Sequence, residues 1–551
     1  MDTTVERVDQ RMKRGNILVL FPLFFYILAV GLPILFSLLK LLDDIIMLFP
    51  LQLNNVLFLR AFYFSFLESA LSTALTITVG SIIAYFLSSL RIKGKGVYKI
   101  VFTLPFVLPI IPLIIGIHLL FGSDGIITTY IRNILGISIV LGRGLSGVVL
   151  VNFIYGLPLA ILYTFSVWRT SRETEEVSLI YGIRGVKKFF KITLPQILPG
   201  ILSAALLIFL FSFLAFEAPL MLGGGKVLTI EMLIYMCYHT LFSPEKGFTL
   251  AIYQFGISVI IVITYIKVIM KYEEERKTIF GEVARIEREP TLVEQLIFYI
   301  ITAIVIFLIF APMIVVAFFA LYDPITKKLT FKAFDKILNP EVEIVLGASL
   351  YKIIFNTIYY ALATMIITIL LASAVVLSKN ERLMELVFLF SLGISPVTLG
   401  ISYLTTFGIT DLYYYNSWIF IILAHTVIAL PMAIRVLRSG FSKIDKDLIE
   451  IAHIYNARNS FFFYRIFIPL LGPSFIVATA FAFAASIGEY GATINVYQGQ
   501  YMTLPIAIYL YFRLRRIQLA CALSLIYILI AFVIFIIIYR FEEDHISLLL
   551  W

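Results

Sequence analysis

Two glutamates interrupt otherwise apolar runs: Glu217 in Phe216-Glu217-Ala218-Pro219 and Glu489 in Gly488-Glu489-Tyr490-Gly491-Ala492. A charged side chain at the centre of a bilayer costs about 2.5–3.5 kcal/mol on insertion scales, so each needs a compensating role. Pro219, Gly488 and Gly491 are helix breakers beside these carboxylates. Two chemistries fit that pattern. A glutamate can accept hydrogen bonds from N–H groups freed where a helix breaks, or it can line a path crossed by a polar solute. The residues alone leave both open, and Glu217, Pro219, Glu489, Tyr490 and Gly491 are the candidate pathway or gate.

Other chemistry is missing from the sequence. His118, His425 and Glu68 are single polar residues in apolar stretches, a pattern that suits hydrogen bonding between helices better than ligand binding. No His/Cys/Asp/Glu cluster has metal-ligand spacing, and Cys237 and Cys521 are far apart and read as packing residues. A GxxxxGK[ST] phosphate loop does not occur, and no polar segment is long enough to fold as a nucleotide-binding domain. The chain is expected to be no enzyme and to bind no cofactor or metal of its own.

The elements that must carry these residues lie in a membrane. Of 551 residues, 61% are apolar and 14% charged, with a mean hydropathy of +0.99. Soluble domains run at about 45–50% apolar and about 25% charged, so no water-soluble globule of ordinary size hides this excess. The alternating short segments of a membrane β-barrel are absent. A bilayer core needs roughly 20 apolar helical residues per crossing, and twelve such stretches are expected, at 17–42, 64–90, 97–121, 145–168, 197–222, 247–270, 294–320, 353–378, 384–407, 417–436, 470–488 and 517–540. The fold class is thus all-α and polytopic. The first run follows Arg7, Arg11, Lys13 and Arg14 and is too long for a cleaved signal. Placing both termini in the cytoplasm puts most Lys and Arg on that side, with Arg513, Arg515 and Arg516 as exceptions. The net charge of +9 is therefore read as sidedness, not as nucleic-acid binding.

Six stretches fall in each half, and the halves repeat. The loop before the fifth stretch reads Glu176-Val177-Ser178, Gly182, Ile192, Leu194, Pro195; its counterpart reads Glu450-Ile451-Ala452, Asn456, Ile466, Ile468, Pro469, every position offset by 274. Thr229-Ile230-Glu231-Met232 matches Thr503-Leu504-Pro505-Ile506 at the same offset. Thr73 with Thr357, Pro112 with Pro396 and Gly116 with Gly400 share an offset of 284, and Pro158 pairs with Pro431. Two parallel six-helix domains, 1–290 and 291–551, are expected.

The loop form E-A-A-x(3)-G-x(9)-I-x-L-P before a penultimate helix resembles the coupling motif of permease subunits in ATP-binding-cassette (ABC) importers. The first loop departs from it only at Val177 and Ser178; the second also carries Ile451 and, in place of the glycine, Asn456, a residue that tolerates a left-handed turn. By this resemblance the fold is that of a type I importer transmembrane domain, fused as two repeats in one chain. It implies two copies of a separate ATPase, holding ATP and Mg, docked at Glu176, Gly182, Ile192, Leu194, Pro195 and at Glu450, Ala452, Asn456, Ile466, Pro469. It also implies an extracytoplasmic solute-binding protein and a place in the cell membrane. Gly488-Glu489-Tyr490-Gly491-Ala492 is similar to a segment of permeases for sulfate, molybdate, thiamine and ferric iron, and a fused chain of this length is most like the thiamine and ferric-iron members. An ion-coupled facilitator of twelve helices is the alternative. It predicts an acidic signature in the loop Arg91-Ile92-Lys93-Gly94-Lys95-Gly96, which has none.

Overall fold

Backbone polar groups have no water to bond inside a bilayer, so apolar stretches of this length resolve as helices. In the computed structural model the described residues are 20–42, 55–106, 108–181, 183, 185–277, 288–323, 326–339, 345–378, 381–441 and 468–540. The long helices are α1 (Leu20–Lys40), α2 (Val56–Ser89), α3 (Ile110–Phe121), α4 (Leu145–Ile180), α5 (Leu194–Phe213) and α6 (Pro244–Lys277). They continue as α7 (Leu292–Leu321), α8 (Leu350–Val376), α9 (Pro396–Phe407), α10 (Asp411–Phe441), α11 (Ile468–Gly488) and α12 (Ile517–Arg540). Among the described residues ten helices are long and apolar enough to cross a membrane, and a bent pair makes eleven. The chain is an all-α, multi-pass membrane protein; the described strands are the two-residue pair Tyr322–Asp323 and Lys328–Leu329.

Helix starts follow local chemistry. Asn55 caps α2 by accepting from the Leu57 N–H at 2.9 Å, and Ser395 caps α9 through Thr398 at 3.1 Å. Thr291 and Glu294 form a reciprocal capping box at α7, satisfying donors that the first turn of a helix leaves free.

Three expected spans, 97–121, 197–222 and 384–407, are not single helices; the second breaks between Phe213 and Glu217. Lys95–Thr103 passes through a 3-10 turn at Leu104–Phe106 before α3 begins after Pro109. Glu381–Leu389 likewise passes through Phe390–Gly393, and α9 leaves it at 85°. Pro105, Pro109 and Pro396 supply no N–H; Pro109 itself and Ser395 before Pro396 are extended, and α3 and α9 start directly after them.

The chain packs as two units, residues 47–330 and residues 1–46 with 331–550. The packing division thus differs from the sequence division at 290/291, because the leading helix of each half is exchanged. In the first of these units α7 lies against α3 so closely that a Cβ on Gly116 would sit 2.3 Å from the Pro312 carbonyl oxygen. In the other, α1 lies against α9: the Tyr403 hydroxyl donates to the Ala29 carbonyl at 2.7 Å and the Thr406 hydroxyl to that of Pro33 at 3.0 Å. Prolines 33 and 312 give up helical hydrogen bonds, and the Ala29 carbonyl, four residues before Pro33, is taken by the Tyr403 hydroxyl.

The register of the repeat also changes for the second helix. The Ile230 N–H donates to the Ser65 hydroxyl of α2, and the Leu504 N–H donates to the Thr357 hydroxyl of α8, both at 2.9 Å. Ile230 and Leu504 correspond at 274, so Ser65, not Thr73, is the counterpart of Thr357, and α2 maps onto α8 at an offset of 292. α2 carries Ser65, Ser69, Ser72, Thr73 and Thr76 at similar spacing, so a lone Thr–Thr match misreads by about two turns.

Candidate functional site

The helix break after α11 is organised by one carboxylate. Glu489 is buried, and its Oε1 accepts the Ala492 N–H at 2.7 Å while Oε2 accepts the Thr493 N–H at 3.1 Å and the Thr493 hydroxyl at 2.6 Å. These are the donors at the start of the short helix Thr493–Val496. His425 of α10 brings its Nε2 within 3.2 Å of Glu489 Oε2 and 2.8 Å of the Thr493 hydroxyl, and its Nδ1 within 2.7 Å of the Ser486 hydroxyl. The helix-to-helix bonding expected of His425 is what its ring makes. Tyr490 is buried with its ring 5.4 Å from that of Tyr509, and a Cβ on Gly491 would meet Pro396 at 3.2 Å, so the broken segment rests on the start of α9.

The first-half glutamate sits differently. α5 ends at Phe213, and Glu217 opens the next helix, Glu217–Leu222, half-buried, with Pro219 buried two residues further on. Glu489 follows directly after α11, whereas Glu217 stands four residues past α5, so the two do not occupy the same register of their breaks. Two other carboxylates are the deeply buried ones in this unit. Glu68 of α2 accepts from Asn152 of α4 at 2.7 Å, and Glu231 accepts from Gln254 of α6 at 2.8 Å. Asn152 and His425 correspond at an offset of 273, the same as Pro158 and Pro431, which lie inside α4 and α10. The fourth helix of each half therefore presents a side chain to a buried carboxylate, taken from α2 in one case and from the break after α11 in the other. Asn152 carried no signal of its own in the sequence; alignment with His425 would have found it.

The coupling candidates are described for the first loop in part. α4 runs unbroken for 36 residues, through Glu176 to Ile180, and the Ile183 N–H closes its end on the Ser178 carbonyl at 3.0 Å. Gly182 lies outside the described residues. A π turn, Phe189–Thr193, containing half-buried Ile192, feeds directly into α5, so Leu194 and Pro195 lie at a π-to-α junction and not at a free helix start. Such π turns recur at functional sites. A cavity of about 260 Å³ lies against this junction, lined by Ser81, Tyr85, Trp168, Phe189, Leu194 and Ile197 among others. Of the second loop, Glu450, Ala452, Asn456 and Ile466 lie outside the described residues, and Pro469 is the second residue of α11.

Ion pairs near the ends of these helices escaped the sequence reading. Arg438, in the last turn of α10, pairs with Glu385 of Glu381–Leu389. Arg288 bonds the Glu294 carboxylate, at 2.9 Å through one nitrogen, and the Tyr85 hydroxyl at 3.0 Å, and these partners hold its guanidinium protonated well above its ordinary range.

Comparison with known proteins decides what this arrangement is. Residues 381–544 match the family described as binding-protein-dependent transport system inner membrane component. The thiamine transport system permease protein ThiP of Escherichia coli is 21% identical over 501 residues, covering 88% of this chain and 89% of ThiP. The chain is a binding-protein-dependent permease. The Escherichia coli molybdenum transport system permease protein ModB is 37% identical over 106 residues, 19% of this permease and 45% of ModB. A Haemophilus influenzae permease named for ferric transport, FbpB 1, is 22% identical over 433 residues, 75% of this permease and 66% of that protein. The family match falls on the second half of the permease, and the length of the ThiP alignment extends across both halves. It is the membrane subunit of an ABC importer, a family whose members work with an ATPase and a solute-binding protein.

Proposed function

We propose that this permease is the whole translocating part of its importer and carries thiamine or ferric iron, with an inorganic oxyanion as the less favoured cargo. One observation carries the reading: a single chain aligns end over end with ThiP, 88% against 89%, while the shorter ModB matches only 19% of it.

In this reading the domains are 1–290 and 291–551, each receiving one copy of the partner ATPase at its loop: Glu176, Gly182, Ile192, Leu194 and Pro195 in the first, Glu450, Ala452, Asn456, Ile466 and Pro469 in the second. ATP and Mg reside on the partner, and this chain binds no cofactor. The binding protein delivers solute on the opposite side of the plasma membrane, with both termini cytoplasmic. α4 supports the coupling role mechanically: its 36 helical residues, about 54 Å at ideal rise, continue as one helix through Pro158 to Glu176 and on to Ile180. Glu217, Pro219, Glu489, Tyr490 and Gly491 form the gate in this reading, at the two places where the penultimate helices break.

The test is purification in mild detergent with identification of copurifying chains and an ATPase assay on the complex. Recovery of an ATPase and a binding protein supports the reading, and the ligand of that binding protein names the solute. A lone chain that moves solute down an ion gradient overturns it in favour of the facilitator.

A further inference from the structure

Among the described residues, one buried face of α2 and one of α8 hold polar atoms that nothing satisfies. On α2 these are Glu68 Oε1 and the Ser72 hydroxyl; on α8 they are the hydroxyls of Tyr360, Thr364 and Thr368. None of the five residues is more than 2% exposed, and among the described residues none of these atoms has a hydrogen-bond partner. At the offset of 292 fixed by Ser65 and Thr357, Glu68 falls on Tyr360 and Ser72 on Thr364. Residues spaced by four lie on one helix face, so both stripes run in line.

A hydroxyl in a membrane helix has an easy way out, by bonding the carbonyl one turn back. Neighbours on the same helices take it: Ser69 donates to the Ser65 carbonyl at 2.6 Å, Thr76 to that of Ser72 at 2.6 Å, and Thr357 to that of Ile353 at 2.7 Å. Ser72, Thr364 and Thr368 do not. Small apolar residues are tolerated on this face, since Ala361 and Ala372 are fully buried there. A polar group placed where alanine fits, and left unsatisfied in a low-dielectric interior, needs a state in which it is solvated.

We propose that each stripe, within its own unit, becomes water-facing in an open state of the transport cycle and takes part in the passage of a polar solute. The inference rests on the importer reading and assigns to that pathway residues away from the glutamates at the helix breaks. In one unit the Glu68 carboxylate and the Ser72 hydroxyl, and in the other the Thr364 hydroxyl, offer acceptors to a hydrated solute that carries hydrogen-bond donors or positive charge.

Cysteine accessibility tests it in the assembled complex with its ATPase, in liposomes, after Cys237→Ala and Cys521→Ala. Ser72→Cys and Thr364→Cys are compared with Ile83→Cys and Val375→Cys, buried positions on the same helices that match at 292. A charged, membrane-impermeant thiosulfonate is applied without nucleotide, with MgATP, and with MgATP plus vanadate. In at least one condition Ser72→Cys and Thr364→Cys should react at least about tenfold faster than the controls, as a shift toward a water-lined state requires. Rates equal to the controls in all three conditions overturn the inference. Ser72→Ala with Thr364→Val, which remove the hydroxyls and keep the shape, should lower uptake with assembly intact; unchanged uptake counts equally against it. ATP-driven uptake with silent cysteines defeats this inference alone, whereas absence of ATP-driven uptake in the unsubstituted complex defeats the importer reading.

Discussion

His425 Nε2 lies 3.2 Å from Glu489 Oε2, a contact between α10 and the break that follows α11, both groups buried. It holds in place a carboxylate whose other bonds all go to the start of Thr493–Val496. Glu489→Ala should orphan two backbone donors and destabilise the permease by about 1–3 kcal/mol for each, read as a lower melting temperature in detergent. Glu489→Gln keeps one carbonyl acceptor and should cost about half as much. A melting temperature unmoved by Glu489→Ala would remove the capping role.

The gate reading is separable from capping. Glu217 is half-buried and opens its own helix, so Glu217→Gln should cost less stability than Glu489→Gln. Glu217→Gln together with Glu489→Gln should depress uptake while the ATPase still copurifies. Normal uptake in the double variant would assign both carboxylates to the helix breaks alone.

Gly116 is held against backbone and has no flexible side chain to yield. Gly116→Val should force α3 and α7 apart and cost at least about 1–3 kcal/mol, the usual range for overpacking. Gly256→Ala, on α6 with open space around it, should be neutral or slightly stabilising in the same thermal assay. Equal effects at both positions would mean that the α3–α7 contact does not set stability.

Coupling should be asymmetric. Gly182→Val should abolish ATPase copurification and uptake while the chain remains inserted, and Asn456→Val should do so less severely, because the second loop already departs from the motif. A more sensitive Asn456 would reverse that ranking.

Arg438 and Glu385 tie the last turn of α10 to Glu381–Leu389. Removing either alone strands a partly buried charge, so Arg438→Ala should destabilise more than Arg438→Ala combined with Glu385→Ala. A double-mutant cycle on melting temperature measures the coupling, and strict additivity would show the pair to be without effect.

The sequence made the membrane legible, because hydropathy is read along the chain and needs no partner. Thr229, expected to match Thr503, indeed precedes a helix start in each half. The broken third helices were missed although Pro105, Pro109 and Pro396 marked them; mean hydropathy is blind to a missing N–H. Glu489 was legible as an interrupted apolar run, while Asn152 and Arg438 were not, since each is an ordinary polar residue until its partner is known.

Composition and periodicity alone determined that this chain forms apolar helices in two matching sets, a consequence of the cost of leaving backbone groups unpaired in lipid. Tertiary structure alone decided that α1 packs with α9 and α7 with α3, and that His425 meets Glu489 across 64 positions of sequence. In lipid every helix flank is equally apolar, so pairing is chosen by close approach at small residues and by the few hydrogen bonds that find acceptors, and those depend on shape in three dimensions.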